Sequence, residues 1–208
     1  MTKVKICGIT HLDDAMACVK SGADMLGFVF YKKSPRYISP KKAKEIIAEL
    51  PQDIEKVALF VNEEKKTVAG ILRDIEKIDI LQFHGEETGE YCDSFNKMTI
   101  KAIRVSDDQS LDKIQQYPRV NFILLDSYNK DVYGGTGLRF DWTLAKSAKR
   151  YNKPIILSGG LNASNVSDAI KFLKPYAVDV SSGVEISAGR KDYELIAEFI
   201  KNAKTKIR

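Results

Sequence analysis

The chain has 208 residues, of which 44% are hydrophobic and 29% are charged, so it can bury a core and global disorder is excluded. Its 33 Lys and Arg residues exceed the 28 Asp and Glu residues, which gives a net charge of +5 with both signs interspersed. There is no Arg-rich run, zinc-finger spacing or aromatic RNA-binding signature. We therefore expect no nucleic-acid partner, and the mild positive charge suits a small anionic ligand.

The sequence carries no sign of a membrane or secreted protein. No stretch approaches the roughly 18 apolar residues of a membrane span, and the early charges at the N-terminus leave no apolar signal segment. Cys7, Cys18 and Cys92 form no Cys-x-x-Cys pair, so neither a disulfide framework nor a structural zinc site is indicated. We expect a cytoplasmic protein with no membrane partner, as a monomer or a homodimer.

Short apolar runs alternate along the chain with segments of helical period. The predicted strands are brief, rich in Val and Ile and apolar on both faces, as buried parallel strands are; they cover residues 4–7, 25–30, 56–61, 80–83, 99–103, 122–126, 154–157 and 177–180. The 208 residues allow about 26 for each strand–helix unit, which is feasible for a (β/α)8 barrel. A doubly wound open sheet is the alternative, but no dinucleotide loop is evident. We predict an α/β fold, a single (β/α)8 TIM barrel, with one catalytic domain over residues 1–208.

The predicted helices have apolar residues at positions i, i+3, i+4 and i+7. On the first helix, this spacing predicts a buried face made by Leu12, Ala15, Met16 and Val19. Start signals are a capping-box-like opening at Thr10, a serine–proline pair at Ser39, and Asn162 as a helix cap. The segment 108–117 predicts only a short or irregular helix.

In a (β/α)8 barrel the active site lies at the C-terminal ends of the strands and in the loops that follow. Ser158-Gly159-Gly160-Leu161 follows the seventh predicted strand, and Ser181-Ser182-Gly183-Val184 follows the eighth. Small residues let backbone amides approach an anion, and these two loops are the usual phosphate site of the fold. Gly134-Gly135-Thr136-Gly137, after the sixth strand, could close over the same ligand. The alternative is that these glycines only form tight turns.

Two residues at strand ends suit acid–base chemistry. Cys7 ends the first strand, and a thiol can act as a base or nucleophile where cationic groups or amide dipoles favour the thiolate. Asp126 closes an apolar run, where a carboxylate is costly unless it is partnered or functional, so it is a candidate general acid. The alternative for Cys7 is a small core residue, which is the role expected for Cys18 and Cys92.

Three further polar residues are candidates for ligand binding. Arg36, on the loop after the second strand, has a planar fork suited to a carboxylate, although an exposed Arg is usually only solvated. Asp179 on the eighth strand either holds a sugar hydroxyl or ties neighbouring backbone together. His84 ends the fourth strand and could contact a polar ligand. The only other histidine is His11, and without a His-Glu-x-x-His motif no metal site is expected.

Seven segments, in order along the chain, resemble the phosphoribosylanthranilate isomerase family of tryptophan biosynthesis. They are Lys5-Ile6-Cys7-Gly8-Ile9-Thr10, Gly27-Phe28-Val29-Phe30, Lys33-Ser34-Pro35-Arg36-Tyr37-Ile38-Ser39, Leu81-Gln82-Phe83-His84-Gly85, Gly134-Gly135-Thr136-Gly137, Leu157-Ser158-Gly159-Gly160-Leu161 and Asp179-Val180-Ser181-Ser182-Gly183-Val184-Glu185. The resemblance implies a barrel that needs no cofactor and no metal and that takes a small phosphosugar substrate. The turn at Ala188-Gly189-Arg190-Lys191-Asp192 departs from the proline-containing turn often seen in the family.

The reaction that the resemblance implies is an Amadori rearrangement of N-(5-phosphoribosyl)anthranilate to 1-(2-carboxyphenylamino)-1-deoxyribulose 5-phosphate. By similarity, Asp126 is the general acid that opens the furanose ring and Cys7 is the general base. Arg36 would hold the anthranilate carboxylate and Asp179 a sugar hydroxyl. The resemblance also implies a phosphate site built from the backbone of Gly135, Gly160, Ser182 and Gly183.

Other functions remain as alternatives at this stage. The aminoaldose isomerases of histidine biosynthesis are a family with an Asp/Asp acid–base pair. Cys7 does not match that pair and therefore argues against this alternative. The Lys and Glu set of the indole-forming synthase, the next enzyme of the tryptophan pathway, is not evident. A non-catalytic phosphosugar-binding module would need neither Cys7 nor Asp126.

Overall fold

The computed structural model describes residues 1–127 and 142–205. Within these ranges, eight parallel strands close into a barrel in which each strand pairs with the next and the last pairs with the first. The strands are β1 (Lys3–Cys7), β2 (Met25–Val29), β3 (Glu55–Phe60), β4 (Ile80–Phe83), β5 (Met98–Val105), β6 (Phe122–Ser127), β7 (Ile155–Leu157) and β8 (Ala177–Val180). The predicted (β/α)8 TIM barrel is confirmed, and every predicted strand boundary agrees within two residues.

Helices alternate with the strands and cover the outside of the barrel. They are α1 (Leu12–Ser21), α2 (Pro40–Glu49), α3 (Lys65–Asp74), α4 (Gly89–Asp93), α5 (Trp142–Ser147), α6 (Val166–Leu173) and α7 (Tyr193–Lys204). A 3₁₀ helix, Gln109–Gln116, lies between β5 and β6, which confirms the irregular helix predicted there. Between β8 and α7 the chain forms a 3₁₀ turn, Ser182–Val184, and then an antiparallel hairpin of β9 (Glu185–Ser187) and β10 (Arg190–Lys191). No helix in the described residues has the length and apolar character of a bilayer span.

Alternation along the strands separates two buried regions, because successive side chains point to opposite faces. One set of side chains packs against the helices in a large apolar cluster. The other set fills the barrel interior with two smaller clusters, one of which, near the C-terminal strand ends, contains Cys7, Val29, Leu59 and Val61. Polar residues that share this inward direction therefore reach the open end of the barrel above a packed core.

Of the three helix N-terminal signals predicted from the sequence, the structure confirms one, at Ser39. Ser39 caps α2 as predicted, since its side chain accepts a backbone N–H of the first helical turn. Thr10 does not cap α1; the N-cap residue is His11, which makes no capping bond, and the Thr10 hydroxyl donates to a carbonyl of the C-terminal hairpin. Asn162 closes a turn ahead of α6, whose N-cap residue is Asn165. A tertiary contact has replaced the predicted cap at Thr10, and a local turn has replaced the one at Asn162.

The buried face of α1 also differs from its prediction. Leu12 and Met16 are 39% and 42% exposed, whereas Asp14 and Cys18 are fully buried. Asp14 is buried because its carboxylate accepts the backbone N–H of Lys191 at 3.1 Å. The face of α1 that carries Asp14 is therefore turned toward the C-terminal hairpin. The contact that holds it there joins residues 177 positions apart, Asp14 and Lys191.

Candidate active site

A cavity of about 800 Å³, counted to its open mouth, lies at the C-terminal ends of the barrel strands. Predicted site residues that line this cavity are Cys7, Arg36, His84, Asp126, Gly159, Gly160, Asp179 and Ser182. Gly183 follows Ser182 in the same turn. Gly135 lies outside the described residues. The barrel has therefore brought together groups that are up to 175 positions apart, from Cys7 to Ser182, in one concave site.

Cys7 is almost fully buried, at the inward-facing end of β1. Burial raises the pKa of its thiol above the ordinary 9.0, and the ammonium groups of Lys5 and Lys191 act in the opposite direction. Lys5 precedes Cys7 by two residues and therefore shares its face of the strand. The sequence reasoning missed both lysines, although the spacing of Lys5 from Cys7 was a usable signal.

Asp126 lies at the end of β6 with 3% of its surface exposed. One carboxylate oxygen accepts the backbone N–H of Ser127 at 2.9 Å, and the other is 3.3 Å from His84 Nε2. Gln82 Nε2 lies 3.1 Å from His84 Nδ1. With this orientation of the Gln82 amide, Nδ1 accepts the bond, which corresponds to the His84 tautomer with its proton on Nε2, toward Asp126.

Two polar atoms in the cavity wall are left without a well-aligned hydrogen bond among the described residues. They are Gln82 Oε1 and His84 Nε2, and both residues are at least 95% buried. Buried polar atoms are nearly always hydrogen-bonded, so Gln82 Oε1 marks a position for a polar donor of a ligand, whereas His84 Nε2 has the Asp126 carboxylate at 3.3 Å. Gln82 was not predicted as a site residue, although it precedes His84 by two positions on the same face of the chain.

Asp179 belongs to the ligand cavity and to a buried ion pair. Its carboxylate accepts hydrogen bonds from Lys5 Nζ at 2.7 Å and from Ser158 Oγ at 3.2 Å. Both of these hydrogen-bond donors are side chains, which argues against the alternative that Asp179 ties neighbouring backbone together. An ionised carboxylate held at the cavity wall can still accept a hydroxyl of a ligand, since each oxygen has more than one acceptor site.

Arg36 projects into the cavity from the loop after β2, with 12% of its side chain exposed. Glu185 binds one edge of its guanidinium group: Nε is 2.9 Å from Oε1, and Nη2 is 2.7 Å from Oε2. This is a two-pronged, charge-assisted contact. The sequence reasoning missed Glu185, although it ends the motif that begins at Asp179.

The two glycine-containing loops after β7 and β8 touch each other at the cavity. Gly159 and Gly160 have φ angles of 82° and 67°, in the left-handed region that favours glycine. A Cβ atom at Gly183 would lie 2.0 Å from the carbonyl oxygen of Leu161, so only glycine allows this approach. The close contact supports the prediction that both loops serve one ligand group.

Metal ligation has no evident basis in the described part of the chain. No group of three or more His, Cys, Asp and Glu side chains is arranged there to hold an ion. The titratable groups of the cavity are instead spread around the barrel mouth, where they face one shared space.

Comparison with known proteins identifies the family. A family model described as N-(5'phosphoribosyl)anthranilate (PRA) isomerase matches residues 4–202. The chain belongs to this family. An N-(5'-phosphoribosyl)anthranilate isomerase from Geobacter sulfurreducens is 50% identical over 204 residues, which are 98% of this chain and 99% of that protein.

Solved structures of phosphoribosylanthranilate isomerases agree with the sequence match. The enzyme from Thermotoga maritima superposes with a TM-score of 0.92 at 44% identity, covering 98% of this chain and 99% of that one. A phosphoribosylanthranilate isomerase in complex with reduced 1-(o-carboxyphenylamino)-1-deoxyribulose 5-phosphate has a TM-score of 0.89 at 44% identity, again covering 98% and 99% of the two chains. The resemblance inferred from the motifs is confirmed, and the histidine-pathway, indole-synthase and binding-module alternatives are not supported.

Proposed function

We propose that the cavity at the barrel mouth performs the family's Amadori rearrangement with Asp126 as general acid and Cys7 as general base. The chain is an isomerase of tryptophan biosynthesis that converts N-(5'-phosphoribosyl)anthranilate to 1-(2-carboxyphenylamino)-1-deoxyribulose 5-phosphate. One observation carries the assignment of roles: Cys7 and Asp126, on strands far apart in the sequence, line the same cavity together with Arg36.

The first step opens the ribose ring. Asp126 gives a proton to the ring oxygen while the anthranilate nitrogen donates its lone pair to C1, so the bond between C1 and the ring oxygen breaks and a Schiff base forms. His84 Nε2, 3.3 Å from the carboxylate, is placed to donate to the anion that remains on Asp126. The charge that appears on Asp126 in this step therefore has a partner within reach.

The second step moves a proton from C2 of the sugar. The thiolate of Cys7 takes this proton, the electron pair of the C–H bond enters the Schiff base, and an enolamine forms that tautomerises to the ketone product. Burial raises the pKa of the Cys7 thiol, and the ammonium groups of Lys5 and Lys191 oppose that effect by stabilising the thiolate. Acid and base belong to β6 and β1, three strands apart around the barrel, and line one cavity, so substrate held there is within reach of both.

Binding groups surround the acid and the base. Arg36 takes the anthranilate carboxylate, and Asp179 takes a sugar hydroxyl. We assign the phosphate to the backbone of the loops after β7 and β8, at Gly159, Gly160, Ser182 and Gly183. Gly135, which lies outside the described residues, stays a prediction from the sequence. The small anionic substrate agrees with the net charge of +5.

The test is the decay of anthranilate-type fluorescence when purified protein is added to fresh phosphoribosylanthranilate. Wild type is expected to turn the substrate over, and Cys7→Ser and Asp126→Asn each to lower kcat/KM by about a hundredfold or more, the lower range for acid–base groups. Cys18→Ala, at a buried cysteine outside the cavity, is the matched control and should retain activity. Turnover that survives either first substitution would move that role to another residue, and no turnover by folded wild type would contradict the proposal.

Four further expectations from the sequence stay predictions. They are a single catalytic domain over residues 1–208, activity without a cofactor or metal, a cytoplasmic location, and a monomeric or homodimeric state.

A further inference from the structure

The hairpin of β9 and β10 carries two charged residues that face the cavity wall rather than solvent. Glu185 begins β9, and its side chain is 4% exposed. Lys191 ends β10, and its side chain is fully buried. A two-strand hairpin of this length would ordinarily expose such residues, so their burial indicates a specific contact.

Glu185 holds one edge of the Arg36 guanidinium group. Arg36 Nε donates to both carboxylate oxygens, at 2.9 Å and 3.1 Å, and Nη2 donates to Oε2 at 2.7 Å. A guanidinium group has five N–H donors in a fixed plane, and this contact engages the Nε–H and one Nη2–H. The donors that Glu185 does not engage are the second Nη2–H and the two Nη1–H groups, and Arg36 itself lines the cavity.

Lys191 in turn fixes Glu185 to the barrel. Its Nζ donates to Glu185 Oε1 at 2.9 Å, to the Cys7 carbonyl at 2.6 Å and to the Ser181 carbonyl at 3.2 Å. The carboxylate thus lies between two cations. Burial acts to raise the pKa of Glu185, but the hydrogen bonds from Arg36 and the charge of Lys191 outweigh it and lower the pKa below the ordinary 4.5.

We propose that Glu185 is a positioning residue that orients Arg36 so that the guanidinium donors not bound by Glu185 meet the aromatic carboxylate of the substrate. The inference rests on the proposed role of Arg36 and extends it: recognition of the carboxylate depends on a residue that does not touch the ligand. Without Glu185, the flexible Arg36 side chain would sample several orientations and lose the geometry for a two-pronged contact.

The experiment uses two ligands that differ only in the carboxylate. One is reduced 1-(o-carboxyphenylamino)-1-deoxyribulose 5-phosphate, and the other is its phenylamino analogue without the carboxyl group. Glu185→Gln is expected to raise the Kd of the carboxylate ligand about tenfold or more, the range for losing one well-aligned charged hydrogen-bond pair, and to leave the Kd of the analogue within about twofold. In turnover, KM should rise with kcat nearly unchanged.

Control variants separate the inference from the function on which it rests. Arg36→Met should abolish the preference for the carboxylate ligand, and if the preference persists, the assignment of Arg36 itself is wrong. Glu198→Gln, at an exposed position of α7, should change neither Kd. If Arg36→Met loses the preference while Glu185→Gln keeps it, Glu185 is not a positioning residue.

A second variant covers the case in which Glu185→Gln does not fold. Glu185→Asp keeps the negative charge next to Lys191 but withdraws the carboxylate from Arg36 by one methylene group. It should show the same selective loss for the carboxylate ligand. An equal weakening of both ligands in either variant would mean that the hairpin only supports the fold, and would overturn the proposal.

Discussion

Lys5 and Asp179 form an ion pair inside the barrel, with Lys5 Nζ 2.7 Å from Asp179 Oδ1. The two residues are directly opposite each other in the parallel pairing of β1 with β8, and Lys5 has no exposed surface. Burial acts to lower the pKa of Lys5, but the charge of Asp179, and then that of Cys7, raises it above the ordinary 10.5. Lys5 is therefore a positive charge two residues before Cys7, the proposed general base.

Removing this charge should make Cys7 a weaker acid. Lys5→Met is expected to raise the pKa of the Cys7 thiol, because the ammonium group of Lys5 favours the thiolate. The measurement is the rate of Cys7 alkylation by iodoacetamide against pH, followed by peptide mass spectrometry. The rise of kcat/KM with pH should move to higher pH in the same variant. Burial raises the pKa of both Cys18 and Cys92 to about 12, so these thiols do not compete.

Lys3→Met is the matched control for the Lys5 variant. Lys3 lies on the same strand and also pairs with a carboxylate, Glu55 at 3.1 Å, but its side chain is 36% exposed. Its loss should leave the alkylation profile unchanged. An unshifted profile in folded Lys5→Met would mean that another group sets the ionisation of Cys7.

Gly27 makes room for the Cys7 thiol. It lies opposite Cys7 in the pairing of β1 with β2, and a Cβ atom at position 27 would be 2.7 Å from Cys7 Sγ. Gly27→Ala should displace the thiol and lower kcat by up to about a hundredfold, the effect of a misplacement near 1 Å. Gly70→Ala is the control, since a Cβ there meets no atom within 4 Å; it should keep full activity and stabilise α3 by about 0.5–1 kcal/mol. Equal kcat in both variants would contradict the steric argument.

The fold could be predicted from the sequence, and so could the position of Cys7 and Asp126 at the cavity, because both follow from local patterns. Buried parallel strands are continuous apolar runs, and the end of a strand in this fold is the place for chemistry, so Cys7 and Asp126 stood out by position. The buried face of α1 was predicted correctly for Ala15 and Val19 but wrongly for Leu12 and Met16, because Asp14 looks like a surface residue until its partner on β10 is known. Local periodicity cannot report a contact that the closed barrel creates.

The supporting charges of the site were missed for the same reason. Glu185 and Arg36 are 149 positions apart, and charged residues are ordinarily exposed, so neither pairing nor burial is visible locally. Lys191 lies in the turn that departs from the family pattern, where the motif comparison gave no role. Only the placement of the hairpin against the Cys7 carbonyl explains why it is buried.

The low pKa of Glu185 predicts an acid-sensitive contribution to folding. Its pKa is lower in the folded protein than the ordinary 4.5 of an unfolded chain, so the ionised carboxylate stabilises the fold above about pH 4.5. This contribution is lost as the pH falls through the folded-state pKa. Urea unfolding from pH 7 to pH 3 should therefore show wild type more stable than Glu185→Gln at neutral pH, with the gap narrowing in acid. A gap that stays constant with pH would exclude this linkage.

A second buried pair, between Lys101 and Glu87, fixes the loop that carries His84. Lys101 Nζ is 2.9 Å from Glu87 Oε2 and 2.6 Å from the Gly85 carbonyl, and both side chains of the pair are 2% exposed. Glu87 also accepts the backbone N–H groups of Asn62 and Gly85, at 2.7 Å and 2.9 Å. The cation therefore balances a carboxylate on which the loop after β4 is organised.

Lys101→Met should destabilise the protein by about 3–5 kcal/mol, because it leaves the Glu87 carboxylate buried without its cation. Adding Glu87→Gln should recover part of the loss, since a neutral amide costs less to bury and keeps an acceptor for the backbone N–H groups. Lys113→Met, at an exposed position, should change the free energy of unfolding by less than about 0.5 kcal/mol. Urea unfolding with an unchanged m-value measures all three. If the double variant were no more stable than Lys101→Met, the loss would come from the hydrogen bonds to the loop carbonyls, and the unpaired charge of Glu87 would not be its cause.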